Sequence, residues 1–72
     1  MPNSQGYVRS HLLRALMSKI EGDTYPSSTM LDMAESLLDD STTRAYADLL
    51  LTKVEDDAYP SISLLRRLEG LA

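Results

Sequence analysis

Two stretches, Ser18-Lys19-Ile20-Glu21-Gly22-Asp23-Thr24-Tyr25-Pro26-Ser27 and Thr52-Lys53-Val54-Glu55-Asp56-Asp57-Ala58-Tyr59-Pro60-Ser61, decide the reading of this 72-residue chain. They superpose at an offset of 34 residues, and agreement continues outward through Leu16 over Leu50, Leu31 over Leu65, Glu35 over Glu69 and Leu37 over Leu71. Self-similarity at a fixed period of this size marks a repeated supersecondary unit. Convergent capping chemistry accounts for a shared Pro-Ser, but not for the shared Lys, Glu, Asp and Tyr around it.

Each repeat reads as two helices broken at Tyr-Pro-Ser. Val8, Leu12, Leu16 and Ile20, with Leu13 and Met17 beside them, predict an amphipathic helix over residues 7–21, stopped at Gly22. Proline disfavours the helical region for the residue before it, so Tyr25 leaves the helix. Ser27 can then accept from the free N–H groups of the next one. Met30, Met33, Ala34, Leu37 and Leu38 predict a second helix from about residue 28 to about residue 39. Asp40, Ser41 and Thr42 offer N-caps to a third, carried by Tyr46, Ala47, Leu50, Leu51 and Val54 to about residue 55. Ile62, Leu64, Leu65, Leu68 and Leu71 mark a short fourth helix interrupted by Gly70. No period-two run of useful length occurs. The expected fold is therefore all-α: four short helices as two tandem, duplicated hairpins related by a pseudo-two-fold in a single small domain. Residues 1–6 are expected as a flexible tail, with unit one over 7–39 and unit two over 41–72. A 34-residue period is also that of tetratricopeptide arrays, but here the proline falls between the helices of one unit and that pattern's landmarks are missing.

A chain of 72 residues has room for one hydrophobic core, which at this size contributes only roughly 3–5 kcal/mol net. Natural chains this small often lean on disulfides, metals or a partner subunit. There is no cysteine, so disulfides and thiolate-zinc sites are excluded, and a reducing cytoplasm is the compartment expected. The longest strictly apolar run is Leu49-Leu50-Leu51, far short of the roughly 20 residues that cross a bilayer. The opening residues show no basic segment followed by an apolar one, so no secretory leader is expected. The net charge of −4 works against a polyanionic partner. Charge is uneven along the chain: residues 1–20 carry Arg9, Arg14 and Lys19 without an acid. Residues 21–40 carry Glu21, Asp23, Asp32, Glu35, Asp39 and Asp40 without a base. Solvated helix faces account for this pattern, and pairing between subunits is the sharper alternative.

Catalytic chemistry has little to work with. His11 is the one imidazole, its neighbours on the helix are Ser10, Leu12 and Arg14, and no acid stands near it in sequence. Asp39-Asp40 and Asp56-Asp57 lack the repeated oxygen ligands and turn glycine of a hard-metal loop. Gly6, Gly22 and Gly70 are isolated and build no phosphate cradle. No catalytic residue, cofactor or metal is therefore assigned. What remains is apolar surface. Leu49, Leu50 and Leu51 occupy three adjacent angles of one helix, more width than a single neighbour covers.

The expected function is a small non-enzymatic protein-interaction or regulatory module, self-associating through apolar helix faces, with no nucleic acid and no membrane. Candidate interaction residues are Tyr25, Tyr59, Tyr46, Leu49, Arg66 and Arg67. For the two break tyrosines a structural role, each ring covering the open end of its hairpin, competes with a recognition role. The alternative function is a transcription-associated regulator, either reading DNA through Arg66 and Arg67 or occupying the nucleic-acid groove of its target as an acidic mimic.

Overall fold

The computed structural model describes residues 4–72 and is all-helical, with no strand among them. Four helices follow in order: α1 (Ser4–Gly22), α2 (Ser28–Ser36), α3 (Thr43–Asp56) and α4 (Ile62–Leu71). The chain divides after Leu38 into two units, α1 packed on α2 in the first and α3 packed on α4 in the second.

In the first unit α1 buries Leu13, Leu16 and Ile20, and α2 answers with Leu31 and Ala34. The spacing-four row Val8, Leu12, Leu16, Ile20 only partly forms the buried face. Four residues advance about 400° around an α-helix, so such a row drifts by about 40° per step. By Val8 it has turned away from the core, and Val8 and Leu12 are exposed. The three-four rhythm of Leu13, Leu16 and Ile20 stays on one face. Helix α1 also begins at Ser4, so the expected tail is corrected: residues 4–6 form the first turn, and residues 1–3 lie outside the described residues. A polar first turn carries no apolar rhythm, which is why the sequence pattern starts late.

The break follows the expected chemistry. Asp23 N–H closes on the Ile20 carbonyl at 3.2 Å, and Ser27 takes an extended conformation (φ −69°, ψ 148°). Its Oγ accepts from Met30 N–H at 3.1 Å, satisfying one of the orphan donors of the α2 start. Helix α2 ends at Ser36, about three residues before the expected stop. The reasons are local. Ser36 Oγ donates to the Met33 carbonyl at 2.7 Å, Leu37 N–H turns back to the Ala34 carbonyl and Leu38 N–H to that of Glu35. Arg9 Nη2 donates to the Ser36 carbonyl at 3.1 Å, so a cation from α1 caps the negative end of α2.

The second unit opens on a clasp built by Asp39. Its Oδ1 accepts from Ser41 N–H (2.9 Å), Thr42 N–H (3.0 Å), Ser41 Oγ (2.7 Å) and Thr42 Oγ1 (3.1 Å). Its own N–H donates to Thr42 Oγ1 at 2.9 Å, and its carbonyl receives Thr43 N–H and Thr43 Oγ1. Thr42 is the N-cap by position, yet its side chain makes no cap bond to α3. Asp39, read from sequence as the tail of the second helix, is what organises this start.

Helix α3 buries Tyr46 and Leu50 and leaves Leu49 half-buried and Leu51 exposed. After it, Asp57 Oδ1 accepts from Tyr59 N–H at 3.1 Å, the Asx-type bond expected of a short acid in a turn. Ser61 repeats the extended cap (φ −62°, ψ 131°) and accepts from Leu64 N–H at 3.4 Å. Helix α4 runs through Gly70 to Leu71 rather than breaking there. One glycine in a helix costs about 1 kcal/mol, too little to stop a helix already begun.

Two outcomes follow for stability. Ser27→Ala should lower the unfolding free energy by about 1 kcal/mol, and Ile20→Ala by about 2–5 kcal/mol, in urea denaturation followed by circular dichroism. For Asp39 the hydroxyls of Ser41 and then Thr42, with their N–H groups, hold the carboxyl below its ordinary value of 3.8. A depressed folded value stabilises above that ordinary value and is lost as pH falls through the folded one. The stability gap between wild type and Asp39→Ala should therefore shrink as pH is lowered from about 5 to about 2. A gap independent of pH over that window contradicts the clasp.

Candidate interaction surface

Of the six residues singled out from sequence, Tyr46 is buried, Leu49 and Arg67 are half-buried, and Tyr25, Tyr59 and Arg66 are exposed. Tyr25 and Tyr59, in the two breaks, are 79% and 91% exposed. Neither ring covers the end of its hairpin, so the structural role expected for them is corrected. The fixed turn explains why: proline extends the backbone at each tyrosine, and at Tyr59 the Asp57 carboxylate holds the main chain rather than the ring. Tyr46 is the opposite case, fully buried in α3, where it forms part of the core of unit two. Leu49 is half-buried beside it. On α4, Arg66 is exposed and Arg67 half-buried. Neighbours in sequence on a helix diverge by about 100°, so the two guanidinium stems leave the helix in different directions.

Exposed apolar side chains that the sequence reading did not single out are more numerous. In unit one Tyr7, Val8 and Leu12 lie along the first turns of α1, and Met33 on α2. Val8 and Leu12 line an open groove with Gly6, Arg9 and Leu37. Tyr7 stacks on His11, ring centroids 4.2 Å apart and planes tilted by 34°. The imidazole's neighbour is thus an aromatic ring. In unit two Leu51, Ile62 and Leu65 are exposed together with Tyr59. The signal that finds these residues in a sequence is angular. Projecting each helix at about 100° per residue separates positions that share the buried sector from those that merely share an apolar character.

Among the described residues no group of three or more His, Asp or Glu side chains is placed to hold a metal ion. No helix among the described residues is long and apolar enough to cross a membrane. Asp39, whose carboxyl is held below the ordinary range, spends its acceptor capacity on its own turn. No protein-family model matches the chain, and no characterised protein or solved structure matches it either.

Burial separates the four tyrosines cleanly. Nitration of the folded protein should modify Tyr7, Tyr25 and Tyr59 and spare Tyr46, as read by peptide mass spectrometry. Modification of Tyr46 at a rate equal to the others would contradict its placement in the core.

Proposed function

We propose that this chain is a non-enzymatic protein-interaction module of the cytoplasm, assembled by duplication of one helical hairpin. The observation that carries the proposal is the balance of apolar side chains. Seven hydrophobic residues are buried among those described, whereas nine large ones are exposed. Scattered surface leucines are ordinary, but here exposed apolar side chains, Tyr7, Val8 and Leu12, gather within about one and a half turns of α1 and recur from Tyr59 into α4. A core this small leaves little margin, and association that covers such surface adds to stability by mass action.

Duplication is supported by sequence and by matching local chemistry. Ser27 and Ser61, 34 positions apart, each accept from the N–H three residues on. The cytoplasmic assignment rests on the absence of cysteine. A reading in which Arg66 and Arg67 contact DNA gains less support, because Arg67 is half-buried and the chain carries a charge of −4.

The test is site-specific photocrosslinking in the cells that make the protein. A photoreactive phenylalanine analogue at Val8 or Tyr59 should give protein adducts, whereas the same group at the polar, exposed Thr29 should not. Equal yields at all three positions would remove the basis for an interaction module.

A further inference from the structure

Helices α2 and α4 hold matching places in the two hairpins, yet they are fastened differently. Leu31 and Leu65 are the same residue, four positions after the same serine cap, and Leu31 is 2% exposed where Leu65 is 38% exposed. Ala34 is fully buried, whereas Leu68 at the matching position is half-buried. No residue of α4 is fully buried. The far end of α2 is also tied to its partner helix, because Arg9 Nη2 donates to the Ser36 carbonyl at 3.1 Å. At the matching positions, 34 residues on, Arg9 is replaced by Thr43 and Ser36 by Gly70. A threonine lacks the reach of an arginine, and Thr43 Oγ1 donates to the Asp39 carbonyl at 2.7 Å instead. Helix α3 starts on the Asp39 clasp and runs for 14 residues, about the length at which a helix begins to persist in water without a partner. Helix α4 has 10 residues, one of them a glycine that weakens it relative to alanine.

We infer that α4 is a hinged cover: it detaches from α3 as one unit while the first hairpin and α3 stay folded, and so uncovers Tyr46 and Leu50. Elements with few buried apolar side chains open at lower free energy than the molecule as a whole. Helix α4 is the element of unit two that fits this description, and it is the helix packed on α3. The hinge lies in the break at residues 57–60, where the exposed Tyr59 ring can move without leaving a core. Opening presents Tyr46 and Leu50 of α3 together with Leu64, Leu68 and Leu71, the half-buried leucines of α4. A concealed apolar face is thereby added to the one already on the surface. The inference concerns the second hairpin by itself and holds with or without the interaction reading above.

The experiment is native-state hydrogen exchange of the full chain, followed amide by amide by NMR at urea concentrations below the unfolding transition. Relative to their intrinsic rates, the hydrogen-bonded amides of α4 should exchange at least about tenfold faster than those of α2 and than those of α3 around Leu50, and share one urea dependence. Ser61→Ala removes the cap of α4 and should speed its exchange about fivefold, with α2 unchanged. Gly70→Ala, whose added Cβ meets nothing within 4 Å, should slow it about twofold or more. The residual nitration of Tyr46 should follow both changes in the same direction, while that of Tyr25 stays constant. Equal protection in α2 and α4 overturns the inference. So does exchange of α3 and α4 in a single step, which means that the second hairpin opens whole, or a Tyr46 nitration rate indifferent to both substitutions.

Discussion

The backbone of this protein is governed by what proline does to its neighbours at positions 26 and 60. A pyrrolidine ring pushes the preceding residue out of the helical region, so neither first helix can run on past its tyrosine. The serine that follows stands in extended geometry and lends its hydroxyl to an N–H of the next helix, at 3.1 Å in one unit and 3.4 Å in the other. Helix termination and helix initiation are thereby compressed into a few residues. Only with so short a connection can helices of nine and ten residues, marginal as isolated peptides, fold back on the longer ones that stabilise them.

Packing then differentiates the units. In the first, Ala34 and Leu31 of α2 and Ile20 of α1 are almost entirely withdrawn from water. In the second, α4 carries leucine at position 68 where α2 carries alanine, and none of its residues is fully buried. Tyr46 and Leu50 supply the fully buried residues of unit two, both from α3.

Much of the backbone was readable in the chain, and the exceptions have specific causes. All-α character, four helices and both serine caps follow from spacing four, proline and hydroxyl chemistry, which act within a few residues. The start of α1 was missed because Ser4, Gln5 and Gly6 are polar or small and carry no periodic signal. The end of α2 lies earlier than the apolar rhythm of Leu37 and Leu38 suggests, because the Ser36 hydroxyl and Leu37 N–H turn back on the helix and Arg9 of α1 caps its last carbonyl. The Asp39 clasp was missed because its partners, Ser41 and Thr42, were themselves plausible caps. Among the surface residues, Tyr25 and Tyr59 were found from repetition alone. Tyr46 was misjudged because apolar width on α3 does not say which angle turns inward. Ile62 and Leu65 required angles, not composition.

The sequence contains no tryptophan, so tyrosine is its only strong near-ultraviolet chromophore. Of the four, only Tyr46 changes from a dry to a wet environment when the protein opens, and it belongs to the second hairpin. Tyrosine absorbance or emission is therefore a reporter of one half of the molecule. The first hairpin, whose interior is entirely aliphatic, could melt earlier or later and leave that optical signal almost unchanged.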